Sequence, residues 1–325
     1  MKIVAIEEHF WYEPLSLKLE PADMFKKLKH PACDVLGDVA EGRLAAMDKA
    51  GIDFQLLSHF DPGVQELSTE EAIPLAREAN DFLAEAVKKN PTRFGGFASL
   101  ATQDPKAAVA ELERCVKHYG FKGAIINGHT HGHYLDDPKY WPILEAAEAL
   151  NVPIYLHPTT PPEAVLNTYF KDYLDEGLHM ASWGFAVETG THALRLIYSG
   201  VLDRFPNLQF VLGHMGELLP FALWRIDRYY LPKSQVLKNP PAGKGLKRLP
   251  SEYIKSQFHV TTSGFFSYPA LLCTLLELGA DRIMFAVDYP MDDNEAGVEW
   301  LKNCSISPDD LQKIAHKNAE KLFGI

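Results

Sequence analysis

Glu7 and His9 stand one residue apart inside the apolar run Ile3 to Phe10, so on an extended strand both side chains leave by the same face. A carboxylate and an imidazole offered from one strand are two of the ligands that a divalent cation takes. Two more ligand types close other apolar runs: His157 ends VPIYLHP and Asp288 ends IMFAVDYP. Oxygen and imidazole donors without a thiolate suit one Zn2+ or Mn2+ ion, and do not choose between them. His214, in GHMGE, is either a further ligand or an unligated acid/base group. Glu217 follows it by three residues and lies within reach if a helix begins there. The second role is favoured, because Glu7, His9, His157 and Asp288 already make a mononuclear set. A carboxylate behind an imidazole also fixes its tautomer and raises its basicity.

These residues act together only if strands far apart in sequence end at one place. The runs Ile3–Phe10, Phe54–Phe60, Arg93–Leu100, Phe121–Gly128, Val152–Pro158, Leu208–Glu217, Phe258–Gly264 and Ile283–Pro290 read as strands. Segments with helical spacing, such as Glu70–Asn90, Pro105–Gly120 and Tyr140–Leu150, lie between them. Near-continuous apolar strands are covered on both faces, and regular strand–helix alternation implies parallel pairing. An α/β fold, a single (β/α)8 TIM barrel over residues 1–325, is favoured over an open doubly wound sheet; no G-x-G-x-x-G follows the first strand. The interruptions Trp11–Val39 and Thr159–Ser182 follow strands one and five, so they are loop insertions on the catalytic face. Tyr229–Glu252, with Lys233, Lys238, Lys244, Lys247 and Arg248, reads as a solvated loop or subunit contact.

Composition narrows the function classes. A formal charge of −11 argues against a nucleic-acid partner. No stretch approaches the roughly 20 apolar residues of a membrane span, and a start that is already a strand is unlike a signal peptide. Cys33, Cys115, Cys273 and Cys304 form no C-x-x-C pair and read as reduced thiols of a cytoplasmic protein. His129, His131 and His133 in NGHTHGHY resemble a metal box but more often serve as polar loop residues. His59, Asp61 and Asn127 are pocket-lining candidates by position alone, and Trp183, Glu188 and His192 are at least as consistent with structural roles.

Several motifs recur in one order: E-E-H-F, Y-L-H-P, the run Trp183 to Leu196, L-G-H-M-G-E followed by W-R-I-D, H-V-T-T-S-G and F-A-V-D-Y-P. In this the chain resembles the amidohydrolase-related, metal-dependent decarboxylases: the γ-resorcylate, 2,3-dihydroxybenzoate and 5-carboxyvanillate decarboxylases, with aminocarboxymuconate semialdehyde decarboxylase more distant. The resemblance implies that Glu7, His9, His157 and Asp288 hold the metal, that His214 and Glu217 are the catalytic histidine and its partner, and that Arg225 is the W-R-I-D arginine, expected at the substrate with Asn127 and His59. It also implies a homo-oligomer, a dimer or tetramer. Hydrolytic relatives usually open with H-x-H, whereas Glu7 with His9 matches the E-x-H of the hydroxybenzoate branch. The loop NGHTHGHYLDDPKYW is shorter than the γ-resorcylate enzymes' insertion, which leaves the ring open.

The chemistry follows from the bond to be broken. Losing CO2 from an aromatic ring leaves an aryl carbanion unless the ring carbon is protonated first, which an ortho hydroxyl permits. Asp288 is the expected donor, pushed towards its protonated form by the adjacent substrate carboxylate. His214, backed by Glu217, would polarise or deprotonate the phenol. No organic cofactor is required, and the reaction with CO2 or bicarbonate should be reversible. The alternative is a metal-dependent hydrolase of a lactone, ester or amide, in which Asp288 acts as general base on a metal-bound water.

Overall fold

The computed structural model describes residues 1–19, 32–230 and 245–325. Among the described residues there are nine short strands: β1 Val4–Phe10, β2 Phe54–His59, β3 Phe94–Gly96, β4 Ala98–Ser99, β5 Ala124–Asn127, β6 Ile154–His157, β7 Phe210–Leu212, β8 Phe258–Thr261 and β9 Ile283–Met284. All neighbouring pairs are parallel, in the orders β1-β2-β3 and β4-β5-β6-β7-β8-β9. β3 and β4 are two halves of one strand broken at Phe97, whose amide donates to Leu57 O at 2.9 Å while Ala98 N donates to Gly123 O at 2.9 Å. The segment after β9 meets β1 at an isolated parallel bridge between Glu8 and Tyr289. The architecture is a (β/α)8 barrel.

A helix follows each barrel strand: α1 Glu41–Ala50, α2 Thr69–Lys89, α3 Pro105–Arg114, α4 Trp141–Ala149, α5 Gly184–Ser199, α6 Leu219–Tyr229, α7 Tyr268–Leu278 and α8 Asn294–Asn303. Local chemistry starts them where the strands end. Asp104 caps α3 by accepting Lys106 N and Ala107 N ahead of Pro105, and Asp293 caps α8 by accepting Ala296 N. Alternate strand residues divide the core. Val4, Ile6, Leu56, Phe97, Ile125, Tyr155, Val211, Met284 and Ala286 fill the barrel, plugged by Ala319 and Phe323 of α9 (Asn318–Phe323). Ala5, Leu57, Ile126, Leu156 and Leu212 face outward onto Leu83, Leu144, Leu196 and Leu301 of the helical layer.

β1 breaks this alternation at the point that matters. Ala5 pairs with Gln55 and Glu8 with Leu57, so three residues of β1 advance against two of β2. After Val4 and Ile6, an unbroken strand would turn Glu8 and Phe10 inward. The extra residue of the bulge turns Glu7 and His9 inward instead.

Glu8 is thereby sent outward, fully buried, to the seam between first and last strands. Its carboxylate accepts Val287 N at 2.9 Å and Tyr289 N at 3.1 Å. The buried Arg43 guanidinium lies over the Tyr289 ring, donates to His9 O and Asp38 O, and opposes the burial that pushes the Glu8 carboxyl well above the usual carboxylate range. This is why the final run is a ladder strand only over Ile283–Met284: beyond it the backbone donors go to Ile314 O and to Glu8.

Of the insertion after β1, residues 20–31 lie outside the description, as do Lys233, Lys238 and Lys244. Arg248 packs on its own chain, over the Tyr253 ring and bonded to Ser256 and Gln257. Cys115, Cys273 and Cys304 are free thiols, and Cys115 is buried in the outer core. Among the described residues no helix is long and apolar enough to cross a membrane.

Glu8→Ala leaves two buried amides at the seam without acceptors, at about 1–3 kcal/mol each. A marked fall in the urea midpoint is expected; an unchanged midpoint means that the seam does not depend on Glu8.

Candidate metal centre

At the downstream ends of β1, β6 and β9, one donor atom from each of Glu7, His9, His157 and Asp288 lies within 4.8 Å of the others. Each side chain arrives with its outer atoms already engaged. Glu7 is almost wholly buried, and its Oε2 accepts hydrogen bonds from Tyr155 OH, Ser263 Oγ and, at 3.0 Å, Thr261 Oγ1. Its Oε1 is left buried without a hydrogen-bond partner. His157 Nδ1 donates to Pro158 O at 2.8 Å, which turns the Nε2 lone pair toward Glu7 Oε1 at 3.6 Å. Burial holds His157 well below the usual imidazole range, so it is neutral. His9 is anchored through Nδ1 to Ser58 Oγ at 3.1 Å and presents Nε2 to Asp288 Oδ1 at 3.1 Å.

Buried polar atoms ordinarily find partners. Glu7 Oε1 and His9 Nε2 are orphaned at the centre of four inward ligands, and two carboxylates with two imidazoles are a donor set for one divalent ion. The residues therefore fit a mononuclear metal. Gly213 adds a steric condition: a Cβ there would stand 2.9 and 3.0 Å from the two oxygens of Glu7.

His214 belongs to the same centre without joining the four. Its Nε2 lies 3.7 Å from Glu7 Oε1 and 3.5 Å from Asp288 Oδ2, and its Nδ1 is 2.7 Å from Glu217 Oε1. The expected His214–Glu217 contact is made, but not by the start of a regular helix. His214, Met215, Gly216, Glu217 and Leu218 all have positive φ, between 50° and 80°. Four of them carry a Cβ, at roughly 1–2 kcal/mol each in this region, and the turn is tied down by His214 N to Ser263 Oγ at 3.1 Å. Strain of this kind persists only where surrounding structure enforces it.

The charges around the centre bear on the protein without substrate. Burial pushes both members of the His214–Asp288 pair toward neutrality, but neighbouring charges and hydrogen bonds win. Glu217 and Glu7 hold His214 well above the usual imidazole range, while His214 and His9 hold Asp288 below the usual carboxylate range. In the protein without metal or substrate these directions favour the proton on His214 over Asp288.

Two of the other expected site residues, His59 and Arg225, are placed differently. His59 lies on the outer face of β2, its ring 5.4 Å from Phe10 and its Nδ1 on Phe60 O, so it does not line the pocket. The inward residue there is its neighbour Ser58, as the period of two requires. Arg225 is exposed on α6 with its guanidinium over Tyr229, and makes no hydrogen bond to the centre among the described residues. Asn127 is inward and is the register partner of His157. His129 and His131 hold the loop through Thr160 O and Leu67 O, and His133 is exposed beside Asp137. Glu188 accepts Tyr134 OH and His192 accepts Leu135 N, both structural contacts, and Trp183 is exposed. Tyr155, Thr261 and Ser263 were missed, although each lies two residues from another inward position.

Tyr155→Phe removes one of the hydroxyls that pin Glu7. Metal affinity, read by competition with a chelator, should fall about tenfold to a hundredfold; unchanged affinity would remove Tyr155 from the supporting shell.

The site can be set beside known proteins. The sequence model of the Amidohydrolase family matches residues 9–325. A γ-resorcylate decarboxylase of Polaromonas sp. (strain JS666) is 41% identical over 330 residues, 98% of each chain. The solved dihydroxybenzoic acid decarboxylase of that organism, with bound manganese and 2-nitroresorcinol, is 40% identical with a TM-score of 0.87, covering 99% of this chain and 97% of that one. The 5-carboxyvanillate decarboxylase of Novosphingobium aromaticivorans, complexed with manganese and 4-hydroxy-3-methoxy-5-nitrobenzoic acid, is 36% identical with a TM-score of 0.92, covering 100% and 96%. The fold, the inward ligand set and these likenesses agree: the chain belongs to the amidohydrolase family.

Proposed function

We propose that this protein is a metal-dependent carboxy-lyase that removes CO2, without oxidation and reversibly, from an aromatic acid with an ortho hydroxyl. The observation that carries the reading is a proton store aimed at the ligand cluster: Glu217 Oε1 to His214 Nδ1 at 2.7 Å, then His214 Nε2 to Asp288 Oδ2 at 3.5 Å. The named relatives are decarboxylases, of γ-resorcylate and of 5-carboxyvanillate, which favours this reading over a hydrolase.

Glu7, His9, His157 and Asp288 would hold the ion. When bound, it supplies positive charge for the substrate's carboxylate and neighbouring phenolic oxygen; the manganese in two relatives favours Mn2+, and the ligand set also admits Zn2+. The protein's own groups handle the proton. A substrate carboxylate beside Asp288 adds negative charge and raises its proton affinity, so the proton resting on His214 passes to Asp288. Asp288 gives it to the ring carbon that bears the carboxylate. The bond to the carboxylate then breaks, CO2 leaves, and its electron pair restores the aromatic ring. His214, neutral after the transfer and oriented by Glu217, accepts a hydrogen bond from the phenol. The sum is one proton taken up and one CO2 released, with no redox partner.

A homo-oligomer, dimer or tetramer, is supported by apolar side chains left in water on α6 and α7: Phe221 is 88% exposed, Trp224 73% and Leu276 86%. Phe221→Asp combined with Trp224→Asp should shift the species seen in sedimentation velocity toward monomer; an unaltered profile argues against this face.

Turnover of hydroxybenzoates in heavy water should place one deuterium on the ring carbon vacated by CO2. Activity should vanish on chelation and return with Mn2+ or Zn2+. Asp288→Asn should lower kcat by about a hundredfold to ten-thousandfold. Product without ring deuterium, or undiminished CO2 release by Asp288→Asn, overturns the proton path.

A further inference from the structure

The end of the barrel opposite the metal centre carries a cavity of about 470 Å3. Asn151, Gln209 and Arg282 line it from the residues just ahead of β6, β7 and β9; His259 is the second residue of β8, and Lys321 and Leu322 come from α9. Its volume falls in the range of small-molecule sites, roughly 300–1,000 Å3. None of its lining belongs to the ligand set or to the proton path.

Arg282 is the member whose contacts are incomplete. Its Nη1 spends both hydrogens inside the protein, on Gln209 Oε1 at 3.1 Å and on His259 Nε2 at 3.0 Å. A guanidinium only donates, so His259 Nε2 accepts and the ring proton lies on Nδ1, where it is buried without a partner. Burial, with Arg282 and Lys321 nearby, holds His259 down to about 3, so the ring is a neutral anchor. Nε and Nη2 of Arg282, the edge of the fork that matches a carboxylate, make no hydrogen bond among the described residues.

The cations of the cavity also lack counter-ions. Among the described residues neither Arg282 nor Lys321 forms an ion pair, although burial disfavours the Arg282 charge and outweighs the opposing pull of Asp281. Asp281 is itself taken by Lys313 at 3.1 Å, and Glu148 accepts Asn207 N at 2.8 Å. With Asp281 offset in this way, the lining carries a single net positive charge, in a protein whose formal charge is −11. That suits a monoanion better than a phosphate dianion. Val152, Leu208 and Leu322 add an apolar wall.

We infer that this cavity is a second binding site, for a small organic monocarboxylate: the Nε–Nη2 edge of Arg282 takes the carboxylate, Lys321 adds charge, and the apolar body lies against Val152, Leu208 and Leu322. Gln209 and His259 hold the guanidinium from behind, so its free edge is oriented before the ligand arrives.

Calorimetric titration of the metal-loaded protein with benzoate, acetate, methyl benzoate and inorganic phosphate, repeated after metal removal by a chelator, separates this cavity from the metal centre. A benzoate-binding event should survive chelation and weaken by about tenfold to a hundredfold in Arg282→Ala, the loss expected for charge-assisted hydrogen bonds. Arg282→Lys keeps the charge without the fork and should also weaken it. Lys321→Met, at an exposed position, should weaken it independently should Arg282→Ala fold poorly. Acetate should bind about tenfold less tightly than benzoate, because it leaves the apolar wall uncovered, and methyl benzoate should not bind. Absence of a benzoate event after chelation, or equal affinity in wild type, Arg282→Lys and Lys321→Met, overturns the inference. Phosphate or methyl benzoate binding as tightly as benzoate overturns the carboxylate assignment. These outcomes hold whatever reaction the metal centre performs.

Discussion

One oxygen of Glu7 is held by three hydroxyls so that the other can be left with none. A buried carboxylate facing imidazoles would otherwise rotate to satisfy itself, and the lone pair required by a metal would be consumed by the protein. Tyr155, Thr261 and Ser263 prevent this from two other strands, while Gly213 leaves the carboxylate room. The bulge in β1 is the condition behind all of these contacts. Without its extra residue, Glu7 would point into the helical layer and Glu8 would occupy the barrel.

The gathering of Glu7, His9, His157 and Asp288 was legible in the sequence because each lies at or near the end of an apolar run, and a parallel barrel collects strand ends at one mouth. The E-x-H spacing is also correct, since period two places both residues on one face. Their parity relative to Val4 and Ile6 was hidden, because a bulge changes parity without leaving a residue signature. The same period, applied to the second strand, would have chosen Ser58 over His59. His59 was singled out because imidazole draws attention and serine does not. The His214–Glu217 contact was legible as a spacing of three, but the left-handed turn that makes it was not: GHMGE contains only two glycines, and Met215, Glu217 and Leu218 give no hint of positive φ. That conformation is imposed by packing against β8 and by Ser263, which local sequence does not encode. The charge state of Asp288 in the absence of substrate was hidden for a related reason. The charges acting on Asp288 come from His9 and His214, whose distances are properties of the assembled barrel.

Function is distributed among layers with different demands. The ligands need exposed lone pairs, so their other atoms are spent on hydroxyls and carbonyls from neighbouring strands. His214 is buried with its charged form favoured, and it has carboxylates on both sides, Glu217 at Nδ1 and Glu7 and Asp288 at Nε2. Both arrangements are costly unless the strands keep register. Hydrophobic packing of Val4, Ile6, Leu56, Tyr155 and Val211 beneath the mouth supplies that register.

The seam between the first and last strands bears on how the enzyme is made. Glu7 and His9 come from one edge of it and Asp288 from the other, and the edges are fastened by Glu8 and by Asp288 N to Glu7 O. A nascent chain on the ribosome holds its first two ligands long before the last has been synthesised, and an incomplete barrel has no site with four donors. An ion that needs all four donors would therefore be held only by a barrel whose first and last strands have met.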